Sequence, residues 1–249
     1  MKTSKNLLLG VAITLFFSST VLAQKNQMWY VHKFQVHPDK IDDFKAMYKE
    51  YVKASKAHKK EHAFHISRSL GPVFYQFQRV KDNNGAGMLS KEAWRILDKM
   101  DESHVSMLWE SIESWHGFFV KSIDSLSYYP ENAPVMGEDL LYAEWWIQHI
   151  KNGSMSIYAK TFDLALEKNK AAGLTYPIGR FEVVLGMEKP AIFTVFWGKD
   201  PADLHAHLKK VWDALGPEVQ EMINDFDEIS RKSTRIQFWV QPELSYQPE

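Results

Sequence analysis

The sequence has no cysteine, so disulfides, thiolate metal sites and a lipid attached through cysteine are all excluded. It also lacks a Gly-rich phosphate loop, a Gly-x-Ser-x-Gly elbow and zinc-finger spacings. The hydrophobic core alone must therefore stabilise the fold. The common signatures of nucleotide-binding proteins and serine hydrolases give no indication of function.

An excess of charge of one sign is lacking as well. The chain has 30 basic and 31 acidic residues and no basic block. Because nucleic-acid binding depends on clustered Lys and Arg, this balance argues against a nucleic-acid partner. Aromatic residues, by contrast, make up 14% of the chain and include 9 Trp. This content predicts either large cores or an aromatic-lined cavity.

Long apolar runs are absent except at the N-terminus. There, Lys2 and Lys5 precede the run "LLLGVAITLFF" and the small-residue site "VLA" that ends at Ala23. This pattern predicts a signal peptide over residues 1–23, with export to a periplasm or the extracellular space and no membrane association after cleavage. A membrane anchor is the alternative, but the run falls short of the roughly 20 residues that a spanning helix needs.

The rest of the chain repeats one pattern twice. The first copy opens with "MWYVHKFQVHPDKIDDFKAMYKEYVKASKA" and the second with "YAEWWIQHIKNGSMSIYAKTFDLALEKNKA". Each begins as a strand rich in aromatic and β-branched residues, passes a turn signal and enters an amphipathic helix. Self-similarity of this kind indicates two copies of one structural unit.

Further pairs follow in the same order in both copies. The second strands are "HAFHISRSLG" and "IGRFEVVLG", the third "PVFYQFQRVKD" and "PAIFTVFWGKD", and the fourth "SLSYYPE" and "QFWVQPE". Long helices are predicted between the third and fourth strands, over residues 90–121 and 201–232. The predicted order is strand, helix, strand, strand, helix, strand, twice, which is the ferredoxin-like βαββαβ unit.

In this arrangement the sequence resembles the dimeric α+β barrel superfamily in tandem form, including antibiotic-monooxygenase-like and NIPSNAP-like proteins. The resemblance implies an α+β fold in which two units, residues 24–132 and 138–249, pack sheet to sheet as an intrachain barrel with the helices outside. It covers nearly the whole mature chain. No family motif matches residue by residue.

Strand alternation then predicts which side chains face the barrel lumen, because successive residues point to opposite faces. Trp29 and Val31 are expected under the helices, together with Ala143, Trp145 and Ile147. The side chains at the alternate strand positions are expected to face the lumen, and most of them are aromatic or polar. They are Tyr30, His32, Phe34, His65, Ser67, Phe74, Gln76, Gln78, Ser125, Ser127, Tyr129, Glu144, Trp146, Gln148, Arg180, Glu182, Ile192, Thr194, Phe196, Gln237, Trp239 and Gln241. A mixed lining of this kind is typical of small-molecule pockets. A satisfied internal hydrogen-bond network is the alternative.

Arg180 and Glu182 are the most informative members of this set. A buried arginine stays protonated, so it must meet a carboxylate of the protein or an anionic group of a ligand. Either Arg180 pairs internally with Glu144 or Glu182, or it receives a substrate oxygen while a nearby residue moves a proton. We predict Arg180, Glu182 and His65 as catalytic candidates, and as ligand-binding residues His32, Glu144, Trp146, Gln76, Tyr129 and Trp239.

The stretch "SKAHKKEHAFHIS" places three histidines, His58, His62 and His65, within eight residues. His58 and His62 lie where a solvated helix end is predicted, and this favours an ordinary helix terminus over a metal site. A site formed by His32, His65 and a glutamate is a further alternative, since two imidazoles and a carboxylate suit a transition metal. We predict no metal.

The leading hypothesis is an exported barrel that holds a small organic molecule, in the manner of the superfamily's cofactor-independent monooxygenases or isomerases. The first alternative is a haem-binding or haem-degrading protein, with His104 or His116 of the predicted long helix as the iron ligand. The second is a scaffold without activity. No cofactor is expected under the leading hypothesis, and a homo-oligomer is left open.

Overall fold

A computed structural model describes residues 27–248, and the predicted signal peptide lies outside this range. The strands are β1 (Met28–Val36), β2 (His65–Ser69), β3 (Val73–Val80), β4 (Ile112–Ser122), β5 (Tyr142–Ile150), β6 (Ile178–Leu185), β7 (Ala191–Gly198) and β8 (Ser230–Val240). The helices are α1 (Ile41–Ala57), α2 (Gly85–Leu97), α3 (Glu102–Ser111), α4 (Met155–Ala171), α5 (Pro201–Asn224) and α6 (Phe226–Ile229). None of these helices is long and apolar enough to cross a membrane.

The eight strands form one closed antiparallel barrel in the order β1-β3-β2-β8-β5-β7-β6-β4. Each half contributes a four-stranded sheet, β4-β1-β3-β2 and β8-β5-β7-β6, and the halves join at the β2–β8 and β4–β6 edges. The predicted α+β fold, with two ferredoxin-like sheets closed into an intrachain barrel, is confirmed. Closure also pairs the strands that would otherwise expose unpaired backbone groups. The boundaries 24–132 and 138–249 stay predictions.

The fourth strand of each half begins earlier than the sequence predicts. In the first half it also ends at Ser122, so the strand predicted over residues 125–131 is wrong, and only an isolated bridge at Tyr128 lies there. The predicted helix over residues 90–121 is two helices, α2 and α3, and chain that was expected to be helical from Ile112 onward is β4. In the second half, α5 and α6 end by Ile229 and β8 follows. Apolar residues at helical spacing, such as Val105, Leu108 and Trp109, continue to Ile112 and Trp115 and suggested one helix. Pairing of β4 with both β1 and β6 overrides that local pattern.

The barrel interior is filled by large apolar side chains from both halves. Tyr75 packs on Trp145 with ring centroids 5.2 Å apart, and Phe118 packs on Phe193 at 5.9 Å, although neither pair comes from adjacent strands. The buried members of this cluster are Val31, Tyr75, Phe118, Val120, Leu140, Ala143, Trp145, Ile147, Val183, Ala191, Phe193, Val195, Trp197 and Phe238. The interior is therefore a packed core.

In most strands, the face that was predicted to line the lumen lies under the helices, and the other face lies inside the barrel. Val31, Ala143, Trp145 and Ile147 were expected under the helices but lie inside the barrel, and Gln76, Glu144, Thr194 and Arg180 were expected inside but face the helices. In β2 the parity is correct, because His65 and Ser67 are paired with the interior residues Phe77 and Tyr75.

The reversal has a physical cause. A polar group buried without a hydrogen-bond partner costs a few kcal/mol, and the barrel interior contains mainly hydrocarbon side chains. The helices, by contrast, carry partners: Tyr48 of α1 donates to Gln76, the Tyr158 hydroxyl of α4 bonds to Thr194, and His205 of α5 lies beside Glu144. The strand face with the polar side chains therefore lies under the helices, and the face with the large apolar side chains fills the barrel.

The segment that follows each fourth strand crosses to the other half. After β4, Tyr128 exchanges backbone hydrogen bonds with Ile178 of β6, and Leu126 packs into the core beneath α4 and α5. After β8, Tyr246 exchanges backbone hydrogen bonds with Phe64, and Leu244 packs against α1. Each half therefore completes the helix-facing core of the other.

Candidate functional site

The polar side chains of the second sheet form a row on its helix-facing side. Strand registers align Arg235 of β8 with Trp146 of β5, Trp146 with Thr194 of β7, and Thr194 with Arg180 of β6. Paired residues on one face stand about 5 Å apart, so the row crosses all four strands. Its two ends are arginines, and Glu144 lies two residues from Trp146 on the same face.

Arg180 is buried in this row with only 2% of its surface exposed. One terminal nitrogen donates to the Leu126 carbonyl, the guanidinium carbon lies 3.9 Å from the centre of the Phe162 ring, and the Tyr158 hydroxyl is within hydrogen-bond reach. Its Nε–H has no partner in the described part of the chain. Burial lowers the pKa of Arg180, yet an arginine in a protein stays charged.

No carboxylate within residues 27–248 forms an ion pair with Arg180. Glu182, two residues along β6, is exposed, and Glu144 is bound to other groups. The internal pairing of Arg180 with Glu144 or Glu182 is therefore wrong. The Tyr158 hydroxyl beside it is neutral, since burial raises the pKa of Tyr158.

Glu144 is buried beside α5 and has several donors. Its carboxylate accepts from the Tyr142 hydroxyl at 2.9 Å, the Gln237 amide at 2.9 Å and the Trp146 indole at 3.3 Å. Burial alone would raise the pKa of Glu144, but these bonds and the nearby His205 hold that pKa below its ordinary value. The carboxylate is therefore ionised and held in place.

The first sheet has a separate polar group around His32. The His32 imidazole bonds to Gln76, and burial lowers its pKa to about 4, so it is neutral near pH 7. The rings of Tyr30, Phe34 and Trp115 surround it at centroid distances of 4.4 to 5.7 Å. His32 and Gln76 thus lie together, on the opposite side of the barrel wall from the predicted lumen.

The remaining predicted residues are dispersed. His65 faces the interior at one end of the barrel, where its Nε2 lies 3.1 Å from the Gln247 amide. Tyr129 follows β4, and its hydroxyl lies beside the backbone of Gly179, near Trp197 and Phe181. Trp239 packs on Tyr142 at 5.1 Å, beside the Glu144 group. The structure therefore joins Glu144, Trp146 and Trp239.

Two open depressions adjoin these groups. One, of about 340 Å³, is lined by Met155, Glu182, Val183, Lys189, Pro190, Ala191 and Ile192. Met155 precedes Tyr158 by one helical turn, and Glu182 follows Arg180 on the same strand face, so this depression lies next to the Arg180 group. The other, of about 310 Å³, is lined by Arg68, Ser69, Leu70, Gly71, Trp239 and Gln241.

Metal binding finds no support in the described residues, where no three metal-ligating side chains come together. His32 and His65 lie on opposite faces of the first sheet and cannot share an ion. His62 instead lies 3.0 Å from Glu92.

Of the two histidines predicted as iron ligands, His104 lies on α3, a helix as expected. His116 lies on β4 rather than on a helix, and neither depression has a histidine in its lining. The space between the second sheet and its helices is occupied by Tyr158, Phe162 and Phe226, whose rings pack within 5.5 Å of one another. We therefore derive no step through haem.

Sequence reasoning missed the helix residues that complete these groups. Tyr158 and Phe162 surround Arg180, and His205 lies beside Glu144, but none of the three was predicted as a site residue. His207 is buried against Tyr176. A polar strand position that recurs opposite a tyrosine or histidine of the following helix is the signal that could have found them.

No family model and no curated protein matches the chain. Solved structures do. A monooxygenase candidate from Lactobacillus acidophilus has a TM-score of 0.55 at 8% identity, with 90% of this chain and 97% of that chain covered. An anthrone oxidase-like protein has a TM-score of 0.55 at 9% identity, with 88% and 93% covered.

A variant of the chlorite dismutase from Candidatus Nitrospira defluvii is similar too, with a TM-score of 0.53 at 12% identity and 90% and 94% covered. These likenesses agree with the fold described above, two ferredoxin-like sheets closed into one barrel. Identities this low establish the fold alone. The NIPSNAP-like resemblance stays a prediction.

Proposed function

We propose that the protein binds a small organic anion at Arg180, on the helix-facing side of the second sheet, and that it acts on an enolisable molecule in the manner of a cofactor-independent monooxygenase or isomerase. The observation that carries the proposal is the unpaired charge of Arg180. A guanidinium that is buried, lacks a carboxylate partner and keeps an unbonded Nε–H is costly unless an anion neutralises it.

The chemistry of the surroundings favours an organic oxyanion on an aromatic or otherwise apolar body. Phe162 and Tyr158 provide apolar surface on α4, and the hydroxyls of Tyr158 and Thr194 lie 3.3 Å apart beside the guanidinium. An enolate or carboxylate oxygen placed there would accept from Arg180 in a site from which water is excluded. Arg180 would then stabilise the anion that forms when a substrate loses a proton.

The neighbouring depression provides a route to this group. It is open to solvent. Its lining includes Met155, which lies one helical turn before Tyr158 on α4, and Glu182, which lies two residues after Arg180 on β6. Displacement of Met155 at the start of α4 would extend it to Tyr158. Glu182 and Lys189 line its rim, where both charges are available to an incoming ligand.

Binding is tested with benzoate and its neutral analogue benzamide. Benzoate at about 100 times its dissociation constant should raise the melting temperature by about 5–10 °C, and benzamide should not. Arg180→Gln should abolish the benzoate response. Arg95→Gln, an exposed arginine of α2, is the matched control and should keep it. Equal responses in wild type and Arg180→Gln would contradict the proposal.

The oxygenase activity is tested with anthrone, which the name of one structural neighbour suggests. Anthrone and one O2 give anthraquinone and one water: both hydrogens of the ring CH2 carbon are lost, one oxygen atom becomes the new carbonyl on that carbon, and the other oxygen leaves with the two hydrogens as water. Oxygen uptake should follow anthrone addition and fall in Arg180→Gln. If benzoate binds but anthrone causes no oxygen uptake above the rate in buffer, the proposed anion binding at Arg180 is supported and the proposed oxygenase activity is wrong.

A scaffold without activity is the second candidate, because the barrel interior is filled by packed aromatic side chains. Absence of both the benzoate response and oxygen uptake would favour it. In either case we propose that the protein is exported, on the basis of the predicted signal peptide, and that it meets small molecules outside the cytoplasm.

A further inference from the structure

Glu144 and His205 form a second group of reactive side chains, at the edge of the second sheet beneath α5. The Glu144 side chain is 3% exposed, whereas that of His205 is 61% exposed. His205 Nε2 lies 3.6 Å from Glu144 Oε1. A buried carboxylate therefore faces an imidazole that solvent reaches.

The carboxylate is fixed by neutral donors. Oε1 accepts from Tyr142 and Gln237, and Oε2 accepts from Trp146. Because all three donors come from strands, the carboxylate cannot turn away from His205 without breaking hydrogen bonds within the sheet. Within residues 27–248, His205 is the one basic side chain that reaches Glu144 within ion-pair distance.

The helix that carries His205 is anchored at its start. Asp200 accepts the backbone N–H of Asp203 as the helix cap, and Pro201 is the first helical residue. Leu204, next to His205, is fully buried under the helix. His205 thus projects from a rigid turn at the margin of the helix.

We propose that His205 is a general base and that Glu144 is its positioning residue. An ionised carboxylate only accepts hydrogen bonds, so Glu144, at 3.6 Å from Nε2, favours the imidazole proton on that nitrogen and leaves Nδ1 unprotonated. Nδ1 is then the proton acceptor at the exposed side of the ring. Glu144 does not touch the substrate; it orients His205 and stabilises the imidazolium that forms.

The surroundings favour a planar aromatic carbon acid as the substrate class. Trp146 and Trp239 flank Glu144, and Trp239 lines the 310 Å³ depression. Arg68 lines the same depression, and Arg235 lies 4.0 Å from the centre of the Trp146 ring. Aromatic rings would hold a flat substrate, and the arginines would stabilise negative charge that develops as its proton leaves.

The inference is independent of anion binding at Arg180 and is tested with 5-nitrobenzisoxazole. Base removes the proton on C3, the C–H electron pair forms the nitrile bond and the N–O bond breaks to give a yellow phenolate. No co-reactant is required. The rate is followed by phenolate absorbance with the full-length mature protein, across a range of pH.

Wild type should exceed the buffer rate, and His205→Ala should lower kcat/KM at least about 100-fold, the usual lower range for a lost general base. Glu144→Gln can donate to Nε2 and so favours the wrong tautomer; it should lower kcat/KM and shift the pH profile, and Glu144→Asp should restore part of the rate. His58→Ala, an exposed histidine of the first half, should leave the rate unchanged.

Two outcomes would overturn the inference: a wild-type rate equal to buffer, or a His205→Ala rate equal to wild type. Since His205 is largely exposed, His205→Ala is expected to fold, and its melting temperature checks this. A Glu144→Gln variant that loses rate at an unchanged melting temperature, with an altered pH profile, separates positioning from a merely structural role.

Discussion

Trp145 and Tyr75 meet edge to face inside the barrel, with ring centroids 5.2 Å apart and planes at 62°. Trp145 belongs to β5 of the second half and Tyr75 to β3 of the first. Their contact therefore joins the two sheets across the interior. It also occupies the volume in which the sequence predicted a ligand.

Trp145→Ala should lower the free energy of unfolding by about 3–5 kcal/mol, because it removes an indole from a packed core and leaves a cavity between the halves. Urea denaturation measures the change. Trp94→Ala, on α2 and 49% exposed, is the control and should cost less than about 1 kcal/mol. Equal losses in the two variants would mean that the interior is not the main core.

Glu92→Gln should destabilise the protein by about 3–5 kcal/mol. Lys60 is 1% exposed and its ammonium group bonds to the Glu92 carboxylate. Loss of that carboxylate leaves a buried positive charge without compensation. Lys60→Met in the same chain should recover much of the loss, and a double-mutant cycle by urea denaturation measures the coupling. Additive effects of the two changes would contradict the prediction.

Stability should fall as the pH drops from 6.5 towards 4. Burial lowers the pKa of His32 and of His207 to about 4, whereas an unfolded histidine has a pKa of about 6.5. In that window the unfolded chain binds protons that the folded chain does not, so acid favours unfolding; above pH 6.5 the contribution is fully present. The loss should reach about 3 kcal/mol for His207, which is 6% exposed, and less for the partly exposed His32.

Urea denaturation at about pH 7 and about pH 4.5 measures this dependence. His207→Gln removes the titrating group and should flatten the pH dependence relative to wild type. His58→Gln, at the exposed end of α1, should leave it unchanged. A wild-type protein with equal stability at both pH values would refute the assignment of these two histidines as neutral buried groups.

Export should remove residues 1–23, so that mature protein secreted by its own host begins at Gln24. Intact-mass measurement and N-terminal sequencing of that protein provide the check. Ala23→Phe places a large residue before the cleavage site and should block processing, since the site requires small residues. An intact N-terminus on the exported wild-type protein would favour the membrane-anchor alternative.

Much of the fold was predictable because it rests on local and repeated signals. The paired strand sequences and the amphipathic helix that follows each first strand predict two βαββαβ units, and their sheets do close into one barrel. The start of β4 was not predictable from local pattern. Its residues fit a helix as well as a strand, and only pairing with β1 and β6 decides between them.

The candidate site was half predictable for a similar reason. Alternation correctly grouped Glu144 with Trp146, and Arg180 with Glu182, on one strand face. Alternation gives two faces, however, and does not say which is inside the barrel. Both faces of these strands are buried, one by the opposite sheet and one by helices, so hydrophobicity could not distinguish them.

The sequence by itself determined the strand and helix order, the duplication, and the presence of an arginine within the second strand of the second half. The tertiary structure alone decided that Arg180 faces Tyr158 and Phe162 rather than a glutamate, and that His205 lies beside Glu144. The physical reason is that hydrogen bonding and desolvation depend on the neighbours that packing supplies. Those neighbours come from helices distant along the chain.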